Sequence, residues 1–456
     1  MIPPLPNKNH PSGRKGLRSR NLNLIGFSSI FLCLLATNSY RKGGWNTISV
    51  FQNLWRRSST NPYNDTEIFQ EFETLEESPT PNRTQSFSNG DATSKVKNGG
   101  GPCVVFCHIG TSIKYGKHMV YAVRQARAFN PDSRIFLISQ PKIFFENADS
   151  RKILETLQKL RVTIVPLKRL EKDASLAAFR KFFILSGNMA VGKNSGNKQF
   201  NKVTIERFFY VHALMKLYNL KDVFHLENDN LIYIDIGLYA RNARECSMSL
   251  GVQARELLDP KRPKRQFLIA GTVYIKDTDA LRMLLKYIIS TLQKGVKYLH
   301  SRLGHHQIND MSLMALYYLE KGKHENRISI LPENPDVNAP NQYNWNGRDK
   351  VQKCLLERRK LVFDNAAISI WNSGTFQSKK PFVAKTMKSA WFAYTRVDAR
   401  KYKLIWTQKC YTKQACNCPA IIGIKGTEFE GKSALVASLH MHSKILEPYL
   451  SKCSHP

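Results

Sequence analysis

Acidic residues are scarce in this sequence. It contains 35 Asp and Glu against 69 Lys and Arg, so the net charge is +34, and +29 of that charge lies beyond residue 100. The excess of basic residues is therefore not confined to an N-terminal tail. It favours anionic partners such as phosphorylated substrates, nucleic acid or an acidic membrane surface, although a solvated basic surface would have the same composition. A hydrophobic content of 42% over 456 residues excludes a wholly disordered chain.

Long apolar runs are also scarce, and the one near the N-terminus is short. Residues 24–36, LIGFSSIFLCLLA, would form about 20 Å of helix, whereas the hydrocarbon core of a bilayer is ~30 Å thick. Extended to residues 22–40, the segment has basic residues on both sides and no small-x-small cleavage site after it. This pattern favours an uncleaved signal-anchor over a cleaved signal peptide. It predicts a single-pass type II protein of the Golgi or ER membrane, with residues 1–21 cytoplasmic and the rest luminal.

The segment after the predicted anchor, residues 41–102, is poor in apolar residues. It is rich in Ser, Thr, Asn, Pro and Gly, and it carries two N-glycosylation sequons, at Asn64 and Asn82. Such a composition is typical of a flexible linker. We interpret this segment as a luminal stem.

Cysteine is limited to nine residues, one of which lies in the predicted anchor. An oxidising lumen would permit disulfides, and four cysteines near the C-terminus are the best placed to form them, although the sequence leaves their connectivity open: Cys410, Cys416, Cys418 and Cys453. Cys103 and Cys107 lie four residues apart on a predicted strand, about 13 Å, which is too far for a disulfide between them.

From residue 103 onward, apolar runs alternate with amphipathic stretches, and no repeat of the solenoid type is present. Residues 103–109, 134–139 and 162–166 have the apolar content of buried strands, and helical patterns ending near 129 and covering 149–160 separate them. This order predicts right-handed crossovers and a mainly parallel sheet, hence an α/β fold. Ligands on such sheets bind at the carboxyl ends of strands, which makes the loop at 110–116 a candidate. Further helices are predicted at 203–219, 278–294 and 308–320, and further strands at 267–275 and 327–331.

An acidic triplet closes the apolar stretch DVFHLENDN at residues 222–230. If these residues are extended, Glu227 and Asp229 lie on the same side and their oxygens can share one hard cation. A divalent ion held there would bridge two phosphates and act as a Lewis acid on a departing diphosphate. The alternative is a solvated turn without function.

The stretch GTEFEGKSALVASLHMHSK, residues 426–444, has two parts with different interpretations. Its first eight residues fit the phosphate-binding loop G-x-x-x-x-G-K-S, but too little chain follows Ser433 for a nucleotide-binding domain, so we interpret this match as chance. If the last residues are extended, His440, His442 and Lys444 share one face, and they offer imidazole ligands and a point charge for phosphate. A rival hypothesis combines the two histidines with Cys416 and Cys418 in a structural zinc site.

Together these stretches resemble the GT-A family of nucleotide-sugar glycosyltransferases, whose D-x-D signature closes a strand; here Glu replaces the first Asp. The resemblance is carried by FCHIGTSIKYGKHMVYAVRQARAFNPDSRIFLIS, ERFFYVHALMKLYNLKDVFHLENDNLIY, AGTVYIKDTDAL, NDMSLMALYYLE, FDNAAISIWNSG and LHMHSK. It implies a Rossmann-like GT-A fold, with a mainly parallel sheet flanked by helices, in a single luminal domain at residues 103–450. It also implies a donor and a metal site.

The resemblance assigns roles to particular residues. The ligands of Mn2+ or Mg2+ would be Glu227, Asp229, His440 and His442. The donor would be bound by Arg207, Asn228 and Lys444. The base that deprotonates the acceptor would be Asp310. For Arg207 the alternative is a surface arginine without a role in binding. Asp310 can act as a base only if it lies within hydrogen-bond reach of the acceptor hydroxyl. The alternative for Asp310 is a helix cap. Asp364 is open to the same two interpretations as Asp310.

The function expected from this resemblance is the transfer of a sugar from a nucleotide-diphosphate donor to a glycan or protein acceptor. The first alternative is an inactive GT-A fold that binds glycans or polyanions, which the Glu at position 227 keeps open. The second is a nucleic-acid-binding protein, suggested by the charge. The predicted anchor, the sequons and the absence of a nucleic-acid-binding sequence module oppose it, and we expect no nucleic-acid partner.

Overall fold

The computed structural model describes residues 101–110, 116–185, 198–254, 268–303, 308–322, 327–333, 350–358, 360–373, 399–428 and 430–453. The predicted tail, the anchor, both sequons and all but the last two residues of the stem lie outside these ranges. Within them, no helix combines the length and the apolar character needed to cross a bilayer.

The described chain alternates strands and helices, as the sequence predicts. The strands are β1 Cys103–His108, β2 Arg134–Ser139, β3 Val162–Pro166, β4 Val223–Leu226, β5 Asn230–Ile232, β6 Leu250–Ala254, β7 Leu268–Ile275, β8 Ser329–Ile330, β9 Leu361–Phe363, β10 Tyr402–Thr407, β11 Cys418–Gly423 and β12 Ser433–His440. The α-helices are α1 Gly116–Phe129, α2 Ala148–Lys159, α3 Leu167–Leu170, α4 Ala174–Leu185, α5 Lys198–Tyr218, α6 Ile236–Glu245, α7 Thr278–Gln293, α8 Gly295–Leu303, α9 Asp310–Tyr317, α10 Lys350–Arg358 and α11 Ala367–Ser373. Short 3-10 or π segments cover Pro141–Phe145, Tyr318–Gly322, Ala399–Lys401 and Glu447–Tyr449.

The first sheet has seven strands in the order β3-β2-β1-β4-β7-β6-β8. Strands β3, β2, β1 and β4 are mutually parallel, as are β6 and β8, whereas β7 is antiparallel to both of its neighbours. The predicted α/β class with a mainly parallel sheet is therefore confirmed. The predicted bounds of β2 and β3 match the structure because these apolar runs are short and end abruptly in polar or turn residues.

The second sheet, with the order β10-β11-β12-β5, was not predicted as a sheet. Strand β9 joins it in parallel against β12, and β5 pairs with β12 in antiparallel register, with His440 opposite Asn230. The turn between β4 and β5 therefore carries the chain from the first sheet into the second. One continuous hydrophobic cluster spans both sheets, including Phe106 from the first and Leu439 from the second.

The segment that fits a phosphate-binding loop connects β11 to β12, which are antiparallel neighbours. Gly426 and Gly431 take positive φ values of 82° and 75°, the backbone region that glycine adopts most easily. A strand follows this loop, and not the helix that a phosphate-binding loop requires. The match to G-x-x-x-x-G-K-S is therefore a coincidence of hairpin residues.

Three disulfides join cysteines in the described ranges. Cys410–Cys418 and Cys416–Cys453 lie in the predicted C-terminal group. The third disulfide, Cys246–Cys354, was not predicted; it joins the residue that caps the end of α6 to α10, 108 residues further along the chain. Cys103 and Cys107 are free thiols, and they form no disulfide with each other, as predicted from their spacing on β1. The zinc hypothesis is wrong, because the sulfurs of Cys416 and Cys418 are consumed in disulfides.

Two buried histidines make the stability of the fold depend on pH. Burial lowers the pKa of His212 to about 4 and that of His225 to about 3, from an ordinary value of 6.5. The unfolded chain thus binds a proton at each histidine below pH 6.5, while the folded protein does so only at lower pH. We expect each histidine to lower the free energy of unfolding by about 2 kcal/mol between pH 7 and pH 5.

Urea unfolding at both pH values measures this effect, and His212→Leu isolates one histidine. Neither ring nitrogen of His212 has a hydrogen-bond partner among the described residues, so leucine removes the titrating group without breaking such a bond. The variant should lose about 2 kcal/mol less than the wild type over this pH range. An unchanged pH dependence in His212→Leu would refute the assignment.

Candidate functional site

The two acids of the ENDN stretch lie on a turn between the two sheets. Strand β4 ends at Leu226, and the backbone N–H of Asn230 donates to the carbonyl of Glu227 at 3.0 Å, which closes the turn. The prediction that residues 227–229 continue a strand is therefore wrong. The chain has to turn here because β5 belongs to the second sheet. The two carboxylates nevertheless converge, through the turn and not through strand alternation.

The turn brings Glu227 and Asp229 to His440 at the end of β12. His440 Nε2 lies 3.0 Å from Glu227 Oε2 and 3.6 Å from Asp229 Oδ2. One ligand atom from each of the three residues lies within 4.8 Å of the other two, an arrangement that could hold a metal ion. Carboxylate oxygens suit Mg2+ and Mn2+, and a neutral imidazole is a common metal ligand. The donor set therefore fits the predicted cation.

The charges around this group balance through ion pairs. Burial alone would lower the pKa of His440, but the carboxylate of Asp229, followed by that of Glu227, outweighs burial and raises the pKa to about 10. Burial likewise disfavours the charge on Asp229, yet His440 and Lys444 hold its pKa below the ordinary value. Ligation through Nε2 needs an unprotonated nitrogen, so cation binding would release the His440 proton.

Lys444 reaches the same group through a tight turn. After β12 ends at His440, the N–H of Lys444 donates to the carbonyl of Met441 at 2.9 Å, and Lys444 has a φ of 62°. Residues 441–444 are therefore not extended, and the condition under which His440, His442 and Lys444 would share one face is not met. The turn nonetheless directs the Lys444 ammonium onto the carboxylate of Asp229, where the two form an ion pair.

His442 lies beside this group but is not part of it. Its ring centroid is 4.6 Å from that of His440. Burial lowers the pKa of His442 to about 3, so the ring is neutral, and its Nε2 has no hydrogen-bond partner in the described part of the chain. The structure thus brings His440, but not His442, into contact with the two acids. Ligation by His442 stays a prediction.

Arg207 bridges two acids of this region. Its Nη1 lies 2.6 Å from Glu227 Oε1 and its Nη2 lies 2.5 Å from Asp310 Oδ2. Arg207 is 9% exposed and Asp310 3%, so the alternative of a surface arginine is excluded. Asn309, and not Asp310, caps α9, in a reciprocal pair of hydrogen bonds with Ser312. The Asp310 carboxylate is therefore free to pair with Arg207.

Asn228, the middle residue of the turn, donates from Nδ2 to the carbonyl of Cys107 at 3.3 Å. This contact joins the turn to the carboxyl end of β1, the edge at which parallel sheets bind ligands. Its Oδ1 is buried and has no hydrogen-bond partner within the described ranges. Asn228 therefore holds an unsatisfied acceptor at the predicted donor site.

Two further residues, Asp364 and Gly271, support the site. Asp364 takes the helix-cap role, one of the two interpretations open to it, whereas Gly271 was not predicted. The Asp364 carboxylate accepts from the N–H groups of Ile368 and Ser369 at the start of α11, at 2.9 and 3.0 Å, and from the N–H of His440 at 3.4 Å. It therefore caps a helix and secures the backbone of His440. Gly271 lies beneath the His440 ring, where a Cβ would meet His440 Nδ1 at 2.8 Å. No local sequence pattern connects either residue with position 440.

No family model matches the sequence, and no curated protein matches it. Solved glycosyltransferases do resemble its structure. Mouse xyloside xylosyltransferase 1 (apo form) has 12% identity and a TM-score of 0.34, over 51% of this chain and 85% of its own. The galactosyltransferase LgtC, with donor and acceptor sugar analogues, has 14% identity and a TM-score of 0.32, over 55% and 82%. Core-mannan synthase A from Aspergillus fumigatus, in its Mn/GDP form, has 9% identity and a TM-score of 0.33, over 53% and 74%. All three TM-scores are below 0.5, so the function proposed below is argued from the site.

Proposed function

We propose that this protein is a metal-dependent glycosyltransferase that moves a sugar from a nucleoside-diphosphate donor to a glycan or protein acceptor. The observation that carries the proposal is the meeting of Glu227, Asp229, His440 and Lys444. Lys444 and Asp229 lie 215 residues apart in the chain and yet form an ion pair. Two carboxylates, an imidazole and an ammonium group at one point form a set that suits a divalent cation and a diphosphate together.

Each side chain has a task in this proposal. Glu227, Asp229 and His440 would hold Mn2+ or Mg2+, which neutralises charge on the departing diphosphate when bound. Lys444, whose side chain is 32% exposed, provides a fixed positive charge at the edge of the site for the same leaving group. Asn228 offers its unsatisfied Oδ1 to a hydroxyl or N–H group of the donor.

The cellular setting is part of the proposal. We propose a type II protein of the Golgi or ER membrane, with the predicted anchor at residues 22–40, the stem at 41–102 and the site in the lumen. The disulfides support this setting, because they form and persist in oxidising compartments. The acceptor would then be a glycan or a glycoprotein in the same lumen.

A thermal-shift screen of the full-length protein against UDP- and GDP-sugars, with and without Mn2+, tests the function. We expect one donor to raise the melting temperature only when Mn2+ is present, because the diphosphate and the acids repel each other without it. The same donor should be hydrolysed slowly, with release of the nucleoside diphosphate. Absence of any metal-dependent donor would refute the proposal.

A second candidate is a binding protein that keeps the fold without catalysis. The ion pair between Lys444 and Asp229 favours it, because a side-chain cation already satisfies one of the acids. This candidate predicts that glycans or polyanions bind equally well with and without Mn2+, and that no nucleotide sugar is hydrolysed. The same screen therefore separates the two functions.

A further inference from the structure

The two oxygens of the Glu227 carboxylate contact different side chains, Arg207 and His440. Oε1 of Glu227 lies 2.6 Å from Arg207 Nη1, whereas Oε2 lies 3.0 Å from His440 Nε2. Only Oε2 thus faces the group that could hold a cation. An aspartate at this position would be one methylene, about 1.5 Å, too short to reach both partners. Glutamate, which departs from the D-x-D pattern at this position, is therefore long enough to contact both Arg207 and His440.

Asp310 secures the other side of the same guanidinium. Its Oδ2 lies 2.5 Å from Arg207 Nη2, and its side chain is only 4% exposed. A planar guanidinium presents its N–H donors in a fixed fork, so a carboxylate on one side orients the whole group toward a carboxylate on the other. Asp310, Arg207 and Glu227 therefore form one chain of charge-assisted hydrogen bonds that ends at the cation site.

We infer that Asp310 and Arg207 are positioning residues: they hold the Glu227 carboxylate with one oxygen turned toward the cation, and Asp310 is not the acceptor base. A base has to lie within hydrogen-bond reach of the hydroxyl that it deprotonates. The Asp310 carboxylate is buried, and it already binds Arg207. The inference rests on the proposed function, since it takes Glu227, Asp229 and His440 to bind a divalent cation.

Mn2+ binding to the full-length protein without a donor tests the positioning role, with the free Mn2+ followed by electron paramagnetic resonance. Asp310→Asn keeps the shape of the side chain but weakens its hold on Arg207, and Arg207→Lys keeps the charge but loses the fork. We expect either change to weaken Mn2+ binding about tenfold, as for other residues that orient metal ligands. An acceptor base acts after the cation has bound, so removing one would leave this Kd unchanged.

Asp222→Asn is the matched control. Asp222 is also buried and also pairs with an arginine, Arg244, but it lies at the amino end of β4, opposite the site. The control should bind Mn2+ within twofold of the wild type. Thermal unfolding of each variant shows that it is folded, and Arg207→Lys alone decides the question if Asp310→Asn does not fold.

A double-variant cycle shows whether the effect passes through Glu227. In a Glu227→Gln background, Asp310→Asn should weaken Mn2+ binding by less than twofold, because the oxygen that it positions has lost its charge. A folded Asp310→Asn variant with the wild-type Kd, or a full tenfold effect in the Glu227→Gln background, would overturn the inference alone. A wild-type protein that does not bind Mn2+ would instead overturn the proposed function, and this inference with it.

Discussion

Asp229→Asn is expected to weaken Mn2+ binding at least about 100-fold and to reduce metal-dependent turnover of the donor by a similar factor. Asp229 is 7% exposed, and its Oδ2 faces His440 Nε2 at 3.6 Å and pairs with the Lys444 ammonium. The amide keeps the shape of the carboxylate but removes one of the two negative charges that a divalent cation requires here. It also leaves Lys444 without its buried partner.

Titration with Mn2+ in the absence of a donor measures this effect directly. Asp222→Asn is the control again, because it removes a buried, arginine-paired acid at the opposite end of β4. It should lower the melting temperature without changing the Kd for Mn2+. If Asp229→Asn bound Mn2+ as tightly as the wild type, the three-residue group would not be the metal site.

Gly271→Ala is expected to damage the site without changing any charged residue. A Cβ at this position would meet Asn230 Nδ2 at 2.7 Å, Gln253 Oε1 at 2.8 Å and His440 Nδ1 at 2.8 Å, all closer than real Cβ contacts allow. The His440 ring has to move, because it lies between this glycine and the two acids. We expect Mn2+ binding to weaken about tenfold or more, with a loss of about 1–3 kcal/mol in the free energy of unfolding.

Gly251→Ala on the neighbouring strand β6 separates the effect on the site from general overpacking. Its Cβ would also be crowded, by Met248 Sδ at 2.6 Å and Leu331 Cδ2 at 2.8 Å, but these are the ends of flexible apolar side chains. This variant should lose stability and keep the Kd for Mn2+. Equal losses of Mn2+ affinity in both variants would show that Gly271 has no special relation to His440.

Several site residues could be recognised before their positions were known. The apolar approach to ENDN marked Glu227 and Asp229, and the residue types in LHMHSK marked His440 and Lys444, so the chemistry of the group was visible in short stretches. The local backbone geometry of these stretches could not be predicted from the sequence. Both sets of residues were expected to lie on one face only if the stretches are extended. Both form turns instead, because residues 227–229 cross between sheets and residues 441–444 follow the end of a strand.

Asp310 shows a different limit of the sequence. Its place near the start of a helix was correctly predicted, and its acidity suggested either a cap or a base. The structure pairs it with Arg207 across a separation of 103 residues. A local pattern does not encode such a pair, because it depends on how α5 and α9 pack against the same turn.

What the sequence determined by itself is local: the strands of the parallel sheet, the helices between them, and the residue types that a cation and a diphosphate require. These follow from apolar periodicity and from side-chain chemistry, which neighbouring residues largely decide. The tertiary structure alone decided the second sheet, the register that places His440 opposite Asn230, the bridge from Asp310 through Arg207 to Glu227, and the space above Gly271. Each of these is a contact between distant segments, and its geometry is set by the packing of the whole domain.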